Sequence, residues 1–206
     1  MSQFALPLDW PAGADERDYI VSDANRPLIR HLDHWSLWPV MATVLTGPRK
    51  SGRSLLGRIY AAKSGGELVD DAERADEEEL FHAWNRAQER RRPLIVIADA
   101  PPPAWRIRLP DLHSRLAASP HMRIEEPDDM LAGALIEKLC HARGLAAPPE
   151  LVRYLVPRIE RSYLGVMRAV DALDALAFER RQRLTVPLAR RALAALGVID
   201  ESSGEE

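Results

Sequence analysis

A chain of 206 residues, 46% hydrophobic and 29% charged, is long enough for one domain with a sizeable core, or for a core domain with a small appendage. Its formal charge of −3 argues against a general polyanion binder, and so against direct DNA binding except through a local patch. The single cysteine, Cys140, allows no internal disulfide and fits a reducing compartment. With no secretory h-region and no apolar run longer than a strand, the expected location is the cytoplasm, with no membrane partner.

Residues 1–14 form a short arm containing Gln3-Phe4-Ala5-Leu6-Pro7-Leu8. A glutamine followed by spaced apolar residues, held extended by proline, has the form of a linear peptide that docks in an apolar groove of a partner. The alternative is an arm folded onto its own domain. Leu28, Ile29, Leu32 and Trp35 then share one helical face, for which Ser22 or Asp23 could serve as cap.

The apolar run from Val40 to Leu45 leads into Gly47-Pro48-Arg49-Lys50-Ser51-Gly52-Arg53-Ser54 and a helix over residues 54 to 63. This is strand, loop, helix with P-loop spacing, except that Arg53 stands where lysine is usual. Loop N–H groups and the positive helix end would cradle a di- or triphosphate, with Ser54 as Mg2+ ligand. Against this, a guanidinium is planar where an ammonium is compact, and Pro48 removes one N–H donor. The bland alternative is a glycine-punctuated turn with solvated basic residues.

Leu68 and Val69 form a thin strand ending in Asp70-Asp71, the form of a Walker B segment and better suited to a sheet edge than its centre. Asp76 and the three glutamates after it suit the first turn of a helix carrying Leu80, Phe81 and Trp84, closed by Arg90-Arg91-Arg92. Residues 93–99 make the strongest strand, continuously apolar and ending at Asp99 before three prolines; a polar residue there faces the ligand crevice of a parallel sheet. Residues 122–124 form a last short strand.

From Pro127 onward only helices are expected. One runs from Asp128 to about Arg143 and stops at Gly144; a second starts at Pro149, with Pro157 as a kink or an early stop. Residues 162–180 are amphipathic, and Thr185-Val186-Pro187 opens a final helix before an acidic tail. The fold class is therefore α/β, a P-loop parallel sheet followed by a small all-α lid. The expected divisions are an arm at 1–14, a nucleotide-binding subdomain at 15–126, a lid at 127–199 and a tail at 200–206.

In order and spacing, these pieces together with Leu109-Pro110-Asp111-Leu112-His113-Ser114-Arg115-Leu116 resemble the AAA+ module of the DnaA replication-initiator family, and most closely its shorter Hda members, which share an arginine at the Arg53 position. The resemblance implies ADP or ATP with Mg2+ as cofactors. It places nucleotide contacts at Tyr19, Ile20, Val21, Pro48, Ser51, Gly52, Arg53, Ser54 and Leu55, with the metal at Ser54 and Asp70. Asp71 falls at the water-polarising position, Asp99 at sensor 1, and Arg115 at an arginine finger that acts in trans. Gln3, Phe4, Leu6, Pro7 and Leu8 resemble the peptide that binds the beta sliding clamp of DNA polymerase III.

The chain departs from the family in two places. It is shorter by about a helix and a strand between Ser54 and Asp70, so one edge strand is expected to be missing, and Leu164 stands where the lid's sensor 2 arginine would be, with Arg161 and Arg168 a turn away. The function implied is regulatory inactivation of DnaA, in which a clamp-tethered chain stimulates hydrolysis on DnaA. Alternatives of other classes are a weak stand-alone ATPase and a nucleotide-independent adaptor; a homodimer is left open.

Overall fold

The computed structural model describes residues 19–198, so the arm with its peptide at 3–8 and the acidic tail from 200 lie outside the described residues. Four short strands, β1 (Ala42–Thr46), β2 (Glu67–Val69), β3 (Leu94–Ile97) and β4 (His121–Arg123), pair in the order β2-β3-β1-β4, every pair parallel. β1 and β3 are apolar throughout apart from threonines and fully buried, as central parallel strands must be. In register, Ala42 faces Leu94 and Leu45 faces Ile97. β2 is an edge strand of three half-buried residues, as the thin Leu68-Val69 pair predicts, and the sheet has no strand beyond it among the described residues.

Helices α2 (Arg53–Ser64), α3 (Glu77–Arg90) and α4 (Pro110–Ala118) make the crossovers. Right-handed crossovers put α2, running from β1 toward the β2 edge, on one face. They put α3 and α4, which run the other way and pack on each other, on the opposite face. β1 and β3 therefore send their chains to opposite faces, and the crevice beyond their carboxyl ends is the switch point where ligands of such sheets bind.

Some boundaries differ from expectation. α1 (Arg26–Asp33) is preceded by Asn25, not capped by Ser22 or Asp23: the Asn25 amide oxygen accepts from the Ser22 N–H, and the Ser22 carbonyl accepts from Arg26. Trp35 lies in a short 3-10 turn beyond the helix end. β1 begins two residues late and β4 one residue early.

The remaining four helices, α5 (Asp129–Ala142), α6 (Pro149–Leu155), α7 (Tyr163–Arg180) and α8 (Val186–Ala195), form the lid. Pro157 acts as an early stop, since its ring clashes with the carbonyl four residues back. Asp128, Ser162 and Thr185 each cap the helix that follows with a side-chain oxygen. Ile136, Cys140, Leu151, Leu155, Val170 and Leu193 are wholly enclosed in a second core distinct from that around the sheet. The two cores meet through Leu131 and Tyr163, which pack with the sheet core, and Leu135, which touches both.

Candidate nucleotide site

At the carboxyl end of β1 the chain turns through Lys50 (φ 66°) and Gly52 (φ 85°), two left-handed residues that set successive N–H groups toward one side. The first helical bond of α2 runs from the Leu56 N–H to the Gly52 carbonyl, so the N–H groups of Arg53, Ser54 and Leu55 lead the helix without helical acceptors. Ser51 is 5% exposed and its Oγ has no hydrogen-bond partner. A buried hydroxyl without a partner is costly in a finished core but suits a loop that closes on phosphate oxygens. The loop thus fits a phosphate group.

Tyr19 stands against this loop, its Cε2 3.5 Å from where a Cβ at Gly52 would lie. Burial pushes its hydroxyl up to about 12, offset in part by the nearby Asn25 side chain, and its oxygen makes no hydrogen bond. The Ile20 carbonyl is taken by the Asn25 amide, and Val21 is exposed to solvent. Of the three residues expected beside a base, Tyr19 is the one the fold sets against the loop.

Arg53 does not lie along the loop. It crosses the switch-point crevice, donating from Nη1 to the Ala98 carbonyl and from Nη2 to Asp99 Oδ1, both at 2.8 Å. The Arg53 guanidinium holds the Asp99 carboxyl below the usual aspartate range, against a smaller opposing effect of burial, with help from Arg49 and Arg74. Glu73 Oε1 accepts from the Asp99 N–H and, at 3.2 Å, from the Ala100 N–H, fixing the turn that carries Asp99. Sequence reasoning missed Glu73; it is one acid in an acid-rich run, and nothing local distinguishes it.

Asp70 and Asp71 are exposed beyond β2. Asp70 accepts from the Asp71 N–H at 3.0 Å, and Asp71 is left-handed (φ 52°) with Arg74 at 3.5 Å. With β3 between β2 and β1, Asp70 leaves the sheet about 10 Å from the strand that carries the P-loop. No cluster of three metal-ligating side chains exists among the described residues.

Arg115 lies on α4 against α3. Its guanidinium sits 4.3 Å from the Phe81 ring centroid and 4.6 Å from that of Trp84, and its Nη1 donates to the Asn85 amide oxygen. No carboxylate pairs with it among the described residues, so its charge is held by ring faces and a neutral amide. Leu164, on the first turn of α7, is partly exposed. The arginines flanking it are committed within the lid, Arg161 to Asp129 at 2.5 Å and Arg168 to Glu160 at 3.9 Å.

The lid is tied to the N-terminal segment through Asp128. Its carboxylate caps α5 at the Leu131 N–H (2.7 Å) and accepts from the Ala24 N–H (3.2 Å). Burial alone would raise the Asp128 carboxyl; these bonds, with those from Ser22 and Met130, outweigh it and hold the group below its ordinary value. Tyr163 on α7 adds a bond from its hydroxyl to the Glu125 carbonyl at 3.1 Å.

A family model described as the Hda lid domain matches residues 129–193, which span α5 to α8. An uncharacterized protein of Haemophilus influenzae is 29% identical over 115 residues, covering 55% of this chain and 50% of its own, so the chain spans about half the length of this curated relative. Domain III of the Thermotoga maritima replication initiation protein DnaA superposes with a TM-score of 0.68 at 13% identity, over 87% of this chain and 95% of that one. The Thermotoga maritima RuvB Holliday junction branch migration motor gives 0.65 at 14%, over 94% and 75%. AMPPCP-bound DnaA from Aquifex aeolicus gives 0.60 at 16%, over 79% and 65%. At these identities the structures establish a shared AAA+ fold. Among the described residues no helix is long and apolar enough to cross a membrane.

Proposed function

We propose that this chain, an Hda-like homologue of DnaA, switches DnaA off by lending it Arg115 while held to the beta sliding clamp through residues 3–8. The observation that carries the reading is the setting of Arg115. Instead of a surface ion pair, its ordinary fate, it keeps an unneutralised guanidinium on the Phe81 and Trp84 rings, with one nitrogen on Asn85. Such a side chain can offer its remaining N–H donors to the phosphoryl group of a neighbouring ATP-bound subunit, where the charge developing in the transition state is stabilised.

ADP or ATP is proposed for the chain's own loop, because the leading N–H groups of α2 and the unpartnered Ser51 hydroxyl converge there. Tyr19 would border the base. Mg2+ on Ser54 and Asp70 would neutralise phosphate charge, while Asp71 and Asp99 hold the water-polarising and sensor positions. The commitment of Arg53 to Asp99 favours one competing reading, an adaptor that bridges DnaA and clamp without nucleotide. Calorimetric titration with ADP and ATP separates the two, since the adaptor binds neither.

The deciding experiment follows phosphate release from ATP-loaded DnaA in the presence of DNA-loaded clamp. The wild-type chain should accelerate it. Arg115→Ala should remove most of the acceleration, a finger being worth roughly 10^3-fold or more. Clamp binding should stay intact in that variant and be lost in one carrying Gln3→Ala and Leu6→Ala. Full stimulation by Arg115→Ala would refute the reading.

A further inference from the structure

The corner between α7 and α8 carries a side-chain set that the proposed function leaves unused. Phe178, on the last turn of α7, is 87% exposed, and Arg180, Arg181 and Arg183 follow it, all exposed. None of the three guanidinium groups makes an ion pair or a hydrogen bond with a described residue. Farther back along α7, Asp171 and Asp174 are taken by Arg143 from α5. Glu179 is the single acid between residues 178 and 191.

The corner is held by its backbone. Arg181 is a left-handed C-cap (φ 50°) whose N–H reaches the Ala177 and Phe178 carbonyls, and the Gln182 N–H bonds to the Ala177 carbonyl at 3.1 Å. Leu184 is buried in the lid core, and Thr185 caps α8.

Arginines at a helix end complement its dipole, and that alone could explain them. α3 shows what a purely structural version looks like. It too ends in three arginines with a left-handed cap at Arg91, yet Arg90 approaches Glu67, which also pairs with Arg86, and Arg92 donates to the Ser64 carbonyl. At the α7 end the same motif is unpaired and stands beside a ring in water.

We propose that this corner is a contact site for single-stranded nucleic acid, with Arg180, Arg181 and Arg183 on successive phosphates and Phe178 as the stacking platform for a base. A single strand offers both of the things this surface lacks, a row of anions and flat apolar faces. A duplex hides its base faces, and an acidic peptide offers carboxylates without a series of rings. The chain's overall negative charge confines the contact to this corner, and contacts to phosphates and a stacked base leave it indifferent to sequence.

The test is fluorescence anisotropy of a labelled oligothymidylate with the full chain, against a duplex and a poly-glutamate competitor, with thermal melts confirming that variants of these exposed residues fold as wild type. Three phosphate contacts give a log–log salt slope of about −2, so affinity should fall about 20-fold between 50 and 200 mM salt. Arg180→Ala with Arg183→Ala should bring the slope to about −0.7. Phe178→Ser should weaken single-strand binding by about tenfold and leave duplex binding unchanged. No binding at low salt, binding that ignores these substitutions, equal affinity for single strand and duplex, or stronger binding to poly-glutamate would each overturn the proposal.

Discussion

Replacing Arg53 tests whether the unusual P-loop residue is a strut. Its side chain is 14% exposed, whereas that of Asp99 is 65% exposed, so the two ends of the strut are unequal. Taking a cationic donor from the carbonyl of buried Ala98 costs about 1.5 kcal/mol. The solvent-screened Asp99 end adds about 0.5 kcal/mol. Arg53→Ala should therefore destabilise the chain by about 2 kcal/mol without any nucleotide. For a protein of this size that lowers the Tm by about 4–8 °C, and Arg53→Lys, keeping the charge but one contact, should lose about half as much.

The Asp99 carboxyl is depressed in the folded state, so its share of the stability is fully present above the ordinary aspartate pKa, near 4, and is lost as the pH falls through the lower folded value. The deficit of Arg53→Ala should accordingly shrink by about a quarter between pH 7 and pH 3, the Ala98 part remaining. Thermal unfolding followed by circular dichroism at both pH values measures this. An unchanged Tm in Arg53→Ala, with nucleotide affinity alone reduced, would show that Arg53 is a phosphate ligand and that the strut carries no stability.

Asp128→Ala removes the α5 cap and the bond from Ala24 together, and should cost about 2 kcal/mol while exposing the lid junction to limited proteolysis; Asp128→Asn, which keeps an acceptor, should recover most of the loss. Melting of the alanine variant at the wild-type temperature would contradict the role given to this tie. Gly66→Ala places a Cβ 2.1 Å from the Pro93 carbonyl oxygen, which accepts the Glu67 N–H at 2.9 Å, so β2 must shift away from β3. We expect a loss of about 2–4 kcal/mol and faster hydrogen exchange at residues 67–69, and slow exchange there would show that the edge absorbs the methyl group.

What the sequence made legible is what is settled within a turn or two of chain. The apolar runs at residues 42–46 and 94–97 are read directly as central parallel strands, the glycines at 47 and 52 as the loop between strand and helix, and Asp128 and Thr185 as helix starts. These are local demands of backbone geometry and burial. Arg53 pairs with a carboxylate 46 positions away, and Ala24 with one 104 positions away; no local pattern encodes either. Phe81 and Trp84 read as the buried face of a helix, but the fold leaves them partly exposed, with the Arg115 guanidinium from α4 lying on their rings. Asn25 displaces Ser22 as the residue before α1 because its longer side chain reaches back to the Ser22 N–H.

The proposed division of labour between this chain and DnaA follows from where stiffness lies in the sheet. β1 and β3 are fully buried and are joined a second time, beyond their ends, by Arg53 and Asp99, so the phosphate loop rests on the most constrained part of the molecule. The acids that hydrolysis would need, Asp70 and Asp71, follow a three-residue edge strand with one neighbour and stand in solvent. Edge strands open at lower free energy than central ones, so a carboxylate placed there holds a water less firmly than binding alone requires. On the proposed reading the chain can keep a nucleotide while turning it over poorly. Its catalytic contribution is then Arg115, held on the α3 rings with no carboxylate partner among the described residues and acting on the ATP of a partner.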